Sequence, residues 1–412
     1  MLEAANAYSL SAGDVGFMIV CACLLFIMLP GIALFYGGLV QNRNVLSTIM
    51  HTYVTLGVGS VLWAAAGYSL AFGADLGGVV GNLGHALLAG VGLAPDAPAG
   101  GVPHVLFMVF HCQIACLTAA IISGSYAERI RFPAMVLFTA LWLLLVYAPV
   151  AHWAWGGGWL SRLGALDFAG GTVVHINAGA AALAAAHVLG RRKTLERGEV
   201  APHNLPLTLL GAGLLWLGWF GFNSGAALAA NAQAANALAA TQLSAAGGMI
   251  GWLAAECFHY GKPTTFGAAS GALAGLVSIT PGAGFVEPAW AIAIGGIGGV
   301  ICYGGMFLKL RWKYDDALDV VALHGLGGSW GALATGLLAS AAVGGVDGLF
   351  HGRPGQAAVQ LLSIAAVWVY GYSASRLILA AAAAATPLRA DDGEQMLGLD
   401  LGEHNERAYQ IR

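Results

Sequence analysis

Eleven apolar runs, each close to the roughly 20 residues that an α-helix needs to cross a bilayer, follow one another along the chain. They lie at about 14–36, 45–71, 104–125, 132–151, 171–189, 205–225, 237–259, 264–280, 288–308, 318–341 and 356–381. Charged residues make up only 9% of the sequence, where a soluble domain carries about 25%. Mean hydropathy is +0.75. The expectation is therefore an all-α integral membrane protein with eleven transmembrane helices. Glycine, at 61 residues, suits close helix packing in lipid, because small residues let backbones approach. A net charge of −3 argues against a nucleic-acid partner, which requires a basic patch. The six cysteines (Cys21, Cys23, Cys112, Cys116, Cys257, Cys302) lie in or beside apolar runs without metal-type spacing, and read as small core residues.

An odd number of spans puts the termini on opposite sides. Fifteen of the 17 Lys and Arg residues, from Arg43 through Arg197 to Arg412, fall on one face of this arrangement, leaving Arg162 and Arg353 on the other. The basic face is cytoplasmic by the positive-inside rule, so the N-terminus lies outside and the C-terminus inside. The loop Arg191-Arg192-Lys193 reads first as part of that signal. The first run has no A-x-A cleavage site before Arg43 and reads as a retained span.

Two of the runs each carry one histidine in an apolar setting. Asp167 and His175 stand at the head of the fifth run, and Asp319 and His324 repeat the pattern in the tenth. An ionisable group inside a membrane segment costs at least a few kcal/mol, so it marks a pathway or site and calls for a partner. His175 and His324 are each other's expected partners. The fifth and tenth runs cross in opposite directions, and Phe35-Tyr36-Gly37-Gly38 in the first run echoes Trp219-Phe220-Gly221-Phe222 in the sixth. Two halves of five inserted oppositely make a 5+5 inverted repeat with an eleventh helix added, and place a site at their interface near the midplane. Asp319 is the expected counterpart of Asp167.

The motifs DFAGGTVVHINAG at 167–179, AERIRF at 127–132, HNLP at 203–206, GWFGFNSG at 218–225, DVVALHGLGG at 319–328 and GLDLGEHNERAY at 398–409 resemble, in order, those of the ammonium transporter family (the Amt/Mep/Rh group), and most closely its bacterial-type Amt members. The resemblance spans nearly the whole chain. It implies a membrane domain over 1–385, with halves at about 14–189 and 205–341 and an eleventh helix at 356–381, followed by a cytoplasmic regulatory tail at 386–412. It also implies a homotrimer in the cell inner membrane, in contact with membrane lipid, with one pore per subunit, no cofactor, and a PII-type signalling protein as cytoplasmic partner.

Residue by residue, the resemblance assigns Trp155, Asp167 and Phe110 to an outer site that recruits ammonium, Ile114 and Phe222 to a gate beneath it, and His175 and His324 to the pore. Asp400, His404, Glu406 and Tyr409 fall in the regulatory tail. Three positions depart from the family pattern: Ile114 stands where a gate phenylalanine is usual, Ala226 where bacterial members commonly carry a serine that hydrogen-bonds the cation, and Asn405 where the tail has glycine. Read from the residues alone, Phe107, Phe110 and Ile114 form a helical stripe that suits plain packing, and His111 is a hydrogen-bonded packing histidine. Trp153 and Trp159 belong to an interfacial aromatic belt, Glu128 and Glu256 to interfacial salt bridges. Asp167 can cap a helix and hold a fixed negative charge; the two roles are compatible.

A bare cation entering a bore lined by Phe, Ile and Leu pays many kcal/mol in desolvation. Ammonium differs from potassium in that it can release a proton and cross as neutral ammonia. A neutral imidazole offers one donor and one acceptor to such a molecule, and a proton shared by two rings can relay the charge, making uptake electrogenic. The expectation is an ammonium transporter with a twin-histidine pore. The alternatives are an ammonium sensor with little flux, or an Rh-like gas channel, which Trp155 and the short acidic tail disfavour. A membrane enzyme is the least supported reading, given the lack of a third metal ligand and of an activated nucleophile.

Overall fold

The computed structural model describes residues 9–96, 99–196, 198 and 201–410; Arg197 and Arg412, counted above on the basic face, lie outside these. Eight helices among the described residues are long and apolar enough to cross a membrane. They are α1 (Ala12–Leu39), α2 (Val45–Phe72), α3 (His104–Tyr126), α4 (Phe132–Arg162), α5 (Gly171–Leu189), α6 (Leu205–Gly225), α9 (Pro288–Trp312) and α11 (Gly355–Ala385). The three other expected runs are helical too: α7 (Ala232–Tyr260), α8 (Thr265–Ile279), and α10, a turn at Val321–Leu326 continued by Gly327–Leu338. α8 is only 15 residues long, and α7 is diluted by Asn, Gln and many alanines.

In lipid every backbone group must be satisfied within the protein, and the helix starts show how. Ser11, Asn204, Asn231 and Thr264 each turn a side-chain oxygen onto the N–H three residues on, the N-cap arrangement. Glu256 accepts from the Thr264 N–H and hydroxyl. It braces the head of α8 and, among the described residues, forms no ion pair.

α1 and α6 run antiparallel along one another, with Gly211 of α6 against Phe35 and Gly218 against Met28. α7 packs on α8 and α9 through glycines that meet backbone on the neighbouring helix, among them Gly248 against Gly271 and Gly295 against Ser244. A side chain at these points would force the helices apart. The loop after α2 adds a two-residue antiparallel ribbon, Asp75–Leu76 with Val80–Gly81. Against this loop Trp153 is buried, donating from Nε1 to the Val79 carbonyl and packing on Trp159 and Tyr370. Trp153 is thus a packing residue and not part of an aromatic belt, because the ribbon covers it.

On the opposite face Arg192 is buried, paired at 2.6 Å with Glu128 and at 2.9 Å with Asp315. Arg129, also buried, donates to the Asp315 carbonyl. Burial by itself would raise the Asp315 carboxyl, but the Arg192 and Arg129 guanidinium groups hold it below its usual range. The tail folds back as α12 (Asp392–Leu397) and α13 (Leu399–His404).

Candidate functional site

His175 and His324 meet. Each lies in a π-helical turn, Gly171–Ile176 and Val321–Leu326, a locally widened helix found mostly at functional sites. Their Nδ1 atoms are 3.1 Å apart. One of those nitrogens must carry the hydrogen and the other accept it, so the pair holds one proton on the line between the rings. The His175 ring stacks on Trp219, with centroids 5.5 Å apart and planes at 26°. Trp219 is anchored by Nε1 donating to the Thr280 hydroxyl at 2.9 Å. His175 Nε2 has no partner among the described residues.

The histidines line a narrow cavity of about 20 Å³ whose other walls include Ile32, Tyr36, Leu117, Leu215 and Leu323. That is room for about one water-sized molecule. A cavity of about 300 Å³ toward the face expected to lie outside, the outer cavity, is lined by Phe107, Phe110, His111, Ile114, Trp155 and Ala226. One of about 180 Å³ toward the opposite face, the inner cavity, is bordered by Phe35, Trp252, Lys309 and Asp319.

Asp167 does not face the outer cavity as a free carboxylate. Its two oxygens accept the backbone N–H groups of Gly170, Gly171, Thr172 and Val173 at 2.5–3.0 Å, together with the Thr172 hydroxyl. Burial holds this carboxyl above its ordinary range, and the hydrogen bonds offset only part of that rise. Its lone pairs are committed to the head of α5, so its charge acts on the cavity through space. Its backbone carbonyl accepts from Trp155 Nε1 at 2.8 Å, which fixes the indole at the cavity wall.

The counterpart of Asp167 is Asp316, not Asp319. Asp316 stands eight residues before His324, as Asp167 does before His175. Its carboxylate accepts from Val321 N at 2.7 Å, five residues on, as Asp167 accepts from Thr172. Asp319 has a left-handed backbone and pairs with Lys309 at 2.6 Å. Sequence reasoning selects the carboxylate nearest the histidine, whereas equal spacing in the two halves points to the right one.

Phe110 lies against Gly225, where a Cβ would meet its ring. Ile114 lines the outer cavity, and Phe222, wholly buried, lies edge-on to His175 with centroids 6.4 Å apart. Phe110, Ile114 and Trp155 thus share one cavity, and Phe222 lies beside the histidine pair. Trp219 and Phe35 appear in the sequence only as an internal echo. That echo of aromatic residues between α1 and α6 is the signal that marks both as pore-side residues.

The tail residues also find partners. Asp400 accepts from Ser47 N at 2.8 Å, in the first turn of α2. Tyr409 donates to His203 Nε2, because His203 Nδ1 already donates to the Val40 carbonyl. His404 packs edge-on to Phe132, and the Glu406 N–H bonds the Asp400 carbonyl. Asn405 takes the left-handed conformation at φ 53° that glycine or asparagine supplies after a helix, so the departure from glycine preserves the turn.

A multi-pass helical membrane protein with a cavity on each side of a one-molecule apolar bore belongs to the class of transporters and channels. The chain is a member of the ammonium transporter family. The profile described as Ammonium Transporter Family matches residues 16–409. An ammonium transporter of Bacillus subtilis is 51% identical over 401 residues, covering 97% of this chain and 98% of the relative. Among solved structures, Candida albicans Mep2 is similar with a TM-score of 0.88 and 34% identity, covering 97% of this chain and 91% of that one. One described as Sensor Amt Protein gives 0.88 at 28% identity, with 95% and 98% covered. The Bacillus subtilis relative is an ammonium transporter, not an enzyme.

Proposed function

We propose that the protein takes up ammonium across the bacterial inner membrane by deprotonating it and conducting ammonia past the two histidines. The observation that carries this reading is the 3.1 Å Nδ1 pair inside an otherwise apolar bore. Ammonium is drawn to the outer cavity by the faces of Trp155 and Phe110 and by the charge of Asp167. Beneath Ile114 and Phe222 an N–H bond of ammonium breaks as the unpartnered Nε2 of His175 takes the proton. Its electron pair stays on nitrogen, and ammonia enters the bore. The proton travels through the shared hydrogen bond between His175 and His324 and rejoins ammonia on the inner side, so one positive charge crosses per ammonium. Two facing imidazoles resist double protonation, which keeps the relay to one proton at a time.

The finer architecture belongs to the same proposal: eleven spans in a 5+5 inverted repeat plus one, the N-terminus outside and the C-terminus inside, residues 1–385 as membrane domain and 386–412 as regulatory tail. A homotrimer with a PII-type partner at the tail is part of it. Support comes from the antiparallel pairs α1 with α6 and α5 with α10, and from the matched capping by Asp167 and Asp316.

The test is a current transient in proteoliposomes on a solid-supported membrane after an ammonium jump, with potassium as control. Wild type should give an ammonium-specific transient, and His175→Ala or His324→Ala should abolish it. Unchanged currents in either variant would refute the relay. A second reading, an ammonium sensor, is favoured by the likeness to the solved Sensor Amt Protein. Ammonium binding without sustained current in wild type would establish it.

A further inference from the structure

Resting on the reading of the outer cavity as the recruitment site, we infer that His111 Nε2 is the hydrogen-bond acceptor that holds the incoming ammonium there. Ala226, on the wall of the same cavity, has no polar atom in its side chain. Among the described residues lining the cavity, the side chains that carry a nitrogen or oxygen are Trp155 and His111. The Trp155 N–H is a donor only and is spent on the Asp167 carbonyl, so it offers a cation nothing but its ring face.

His111 differs. Its Nδ1 lies 3.0 Å from the Phe107 carbonyl oxygen, and a carbonyl can only accept. Nδ1 therefore carries the hydrogen, and Nε2 is left with a bare lone pair. No protein group among the described residues bonds Nε2, nor is it one of the enclosed polar atoms left without a partner. The ring is held by Phe107 at 4.1 Å, Phe72 at 4.7 Å, Phe110 at 5.6 Å and Trp155 at 5.7 Å between centroids. An acceptor aimed at a cavity walled by aromatic faces matches a small cation that both donates hydrogen bonds and favours π faces. Potassium can use the faces but has no hydrogen to give. His111 thus supplies selectivity before the bore is reached.

The experiment measures ammonium-jump currents against concentration in wild type, His111→Ala, His111→Gln and His111→Ala combined with Ala226→Ser. His111→Ala should raise the half-saturating ammonium concentration about tenfold with little change in maximal current. Glutamine, whose carbonyl can accept, should largely keep wild-type affinity, and adding Ala226→Ser should recover much of what His111→Ala lost. Ring ¹⁵N NMR of wild type, which requires no variant to fold, should show the His111 Nε2 resonance moving upfield with ammonium and not with potassium. An unchanged half-saturation in a folded His111→Ala, a fall in maximal current alone, or a stationary Nε2 resonance would overturn the inference. No ammonium-specific current in wild type would instead refute the transport reading, and the NMR titration would still decide the role of His111.

Discussion

Gly179 of α5 faces Gly325 of α10 so closely that a Cβ on Gly179 would overlap the Gly325 backbone. The distance between the two imidazoles is therefore set by main chain meeting main chain. Gly179→Ala has no flexible neighbour to push aside, and it must move α5 away from α10. A shift of about 1 Å in a positioned group can cost on the order of a hundredfold in rate. Ammonium-jump currents of Gly179→Ala are expected to fall at least tenfold, while size-exclusion chromatography still shows a folded protein.

Asp316 makes stability depend on pH in a calculable direction. Burial and the neighbouring Asp319 push its carboxyl up to about 6 from the usual 3.8. The folded state then binds this proton more tightly than the unfolded chain does. Stability should rise as pH falls from 7 through 6 towards 4, by on the order of 3 kcal/mol. The Asp316→Asn substitution would keep an acceptor for Val321 N without a charge to bury. Melting curves in detergent at pH 7 and pH 5 should show a larger gain on acidification in wild type than in Asp316→Asn; equal gains would contradict this.

Removing one partner from the buried Arg192 network should be costly. Asp315→Ala leaves the buried Arg192 guanidinium with Glu128 as its one remaining carboxylate, and breaking a buried pair costs about 3 to 5 kcal/mol. The variant should melt well below wild type in detergent. The solvent-screened pair of Lys193 with Glu196 is the comparison, since exposed ion pairs contribute little to stability. A fall in melting temperature no larger than that of Glu196→Ala would show the buried network to be dispensable.

Asp167→Ala and Asp167→Asn should separate capping from charge. Alanine strands four N–H groups at the head of α5, each worth about 1 to 3 kcal/mol when left unpaired, and should lower the melting temperature. Asparagine keeps one acceptor oxygen and should be the more stable of the two. If the carboxylate also acts through its field, both variants should lose ammonium affinity to a similar degree.

Much of this was legible in the sequence, and for identifiable reasons. Apolar length reveals helices, so all eleven expected runs are helical, although Ala232–Tyr260 and the broken helix from Val321 to Leu338 are too polar or too interrupted to stand out by hydropathy. A histidine in an apolar run calls for a partner, and His175 with His324 followed from that. Trp219 against His175 was not legible, because stacking depends on how α6 crosses α5. Nor was the lone pair of His111, since its bond to Phe107 is four residues back on its own helix and leaves no pattern in the sequence. Arg192 read as a topological charge because burial of a basic loop residue depends on Glu128 and Asp315, distant in the chain.

The hydrogen bond from Ser47 N to Asp400 has a consequence for how the tail is to be understood. α2 begins without a cap of its own: Asn44 makes no side-chain bond into the helix and turns instead to the tail and Glu128. The first turn of a membrane helix is thus finished by a residue 353 positions away. Cutting off the tail would fray α2, and α2 packs directly on α3, the helix that carries Phe110, His111 and Ile114. What looks like an appendage at the end of the chain is the missing end piece of a helix that braces the cavity-lining α3.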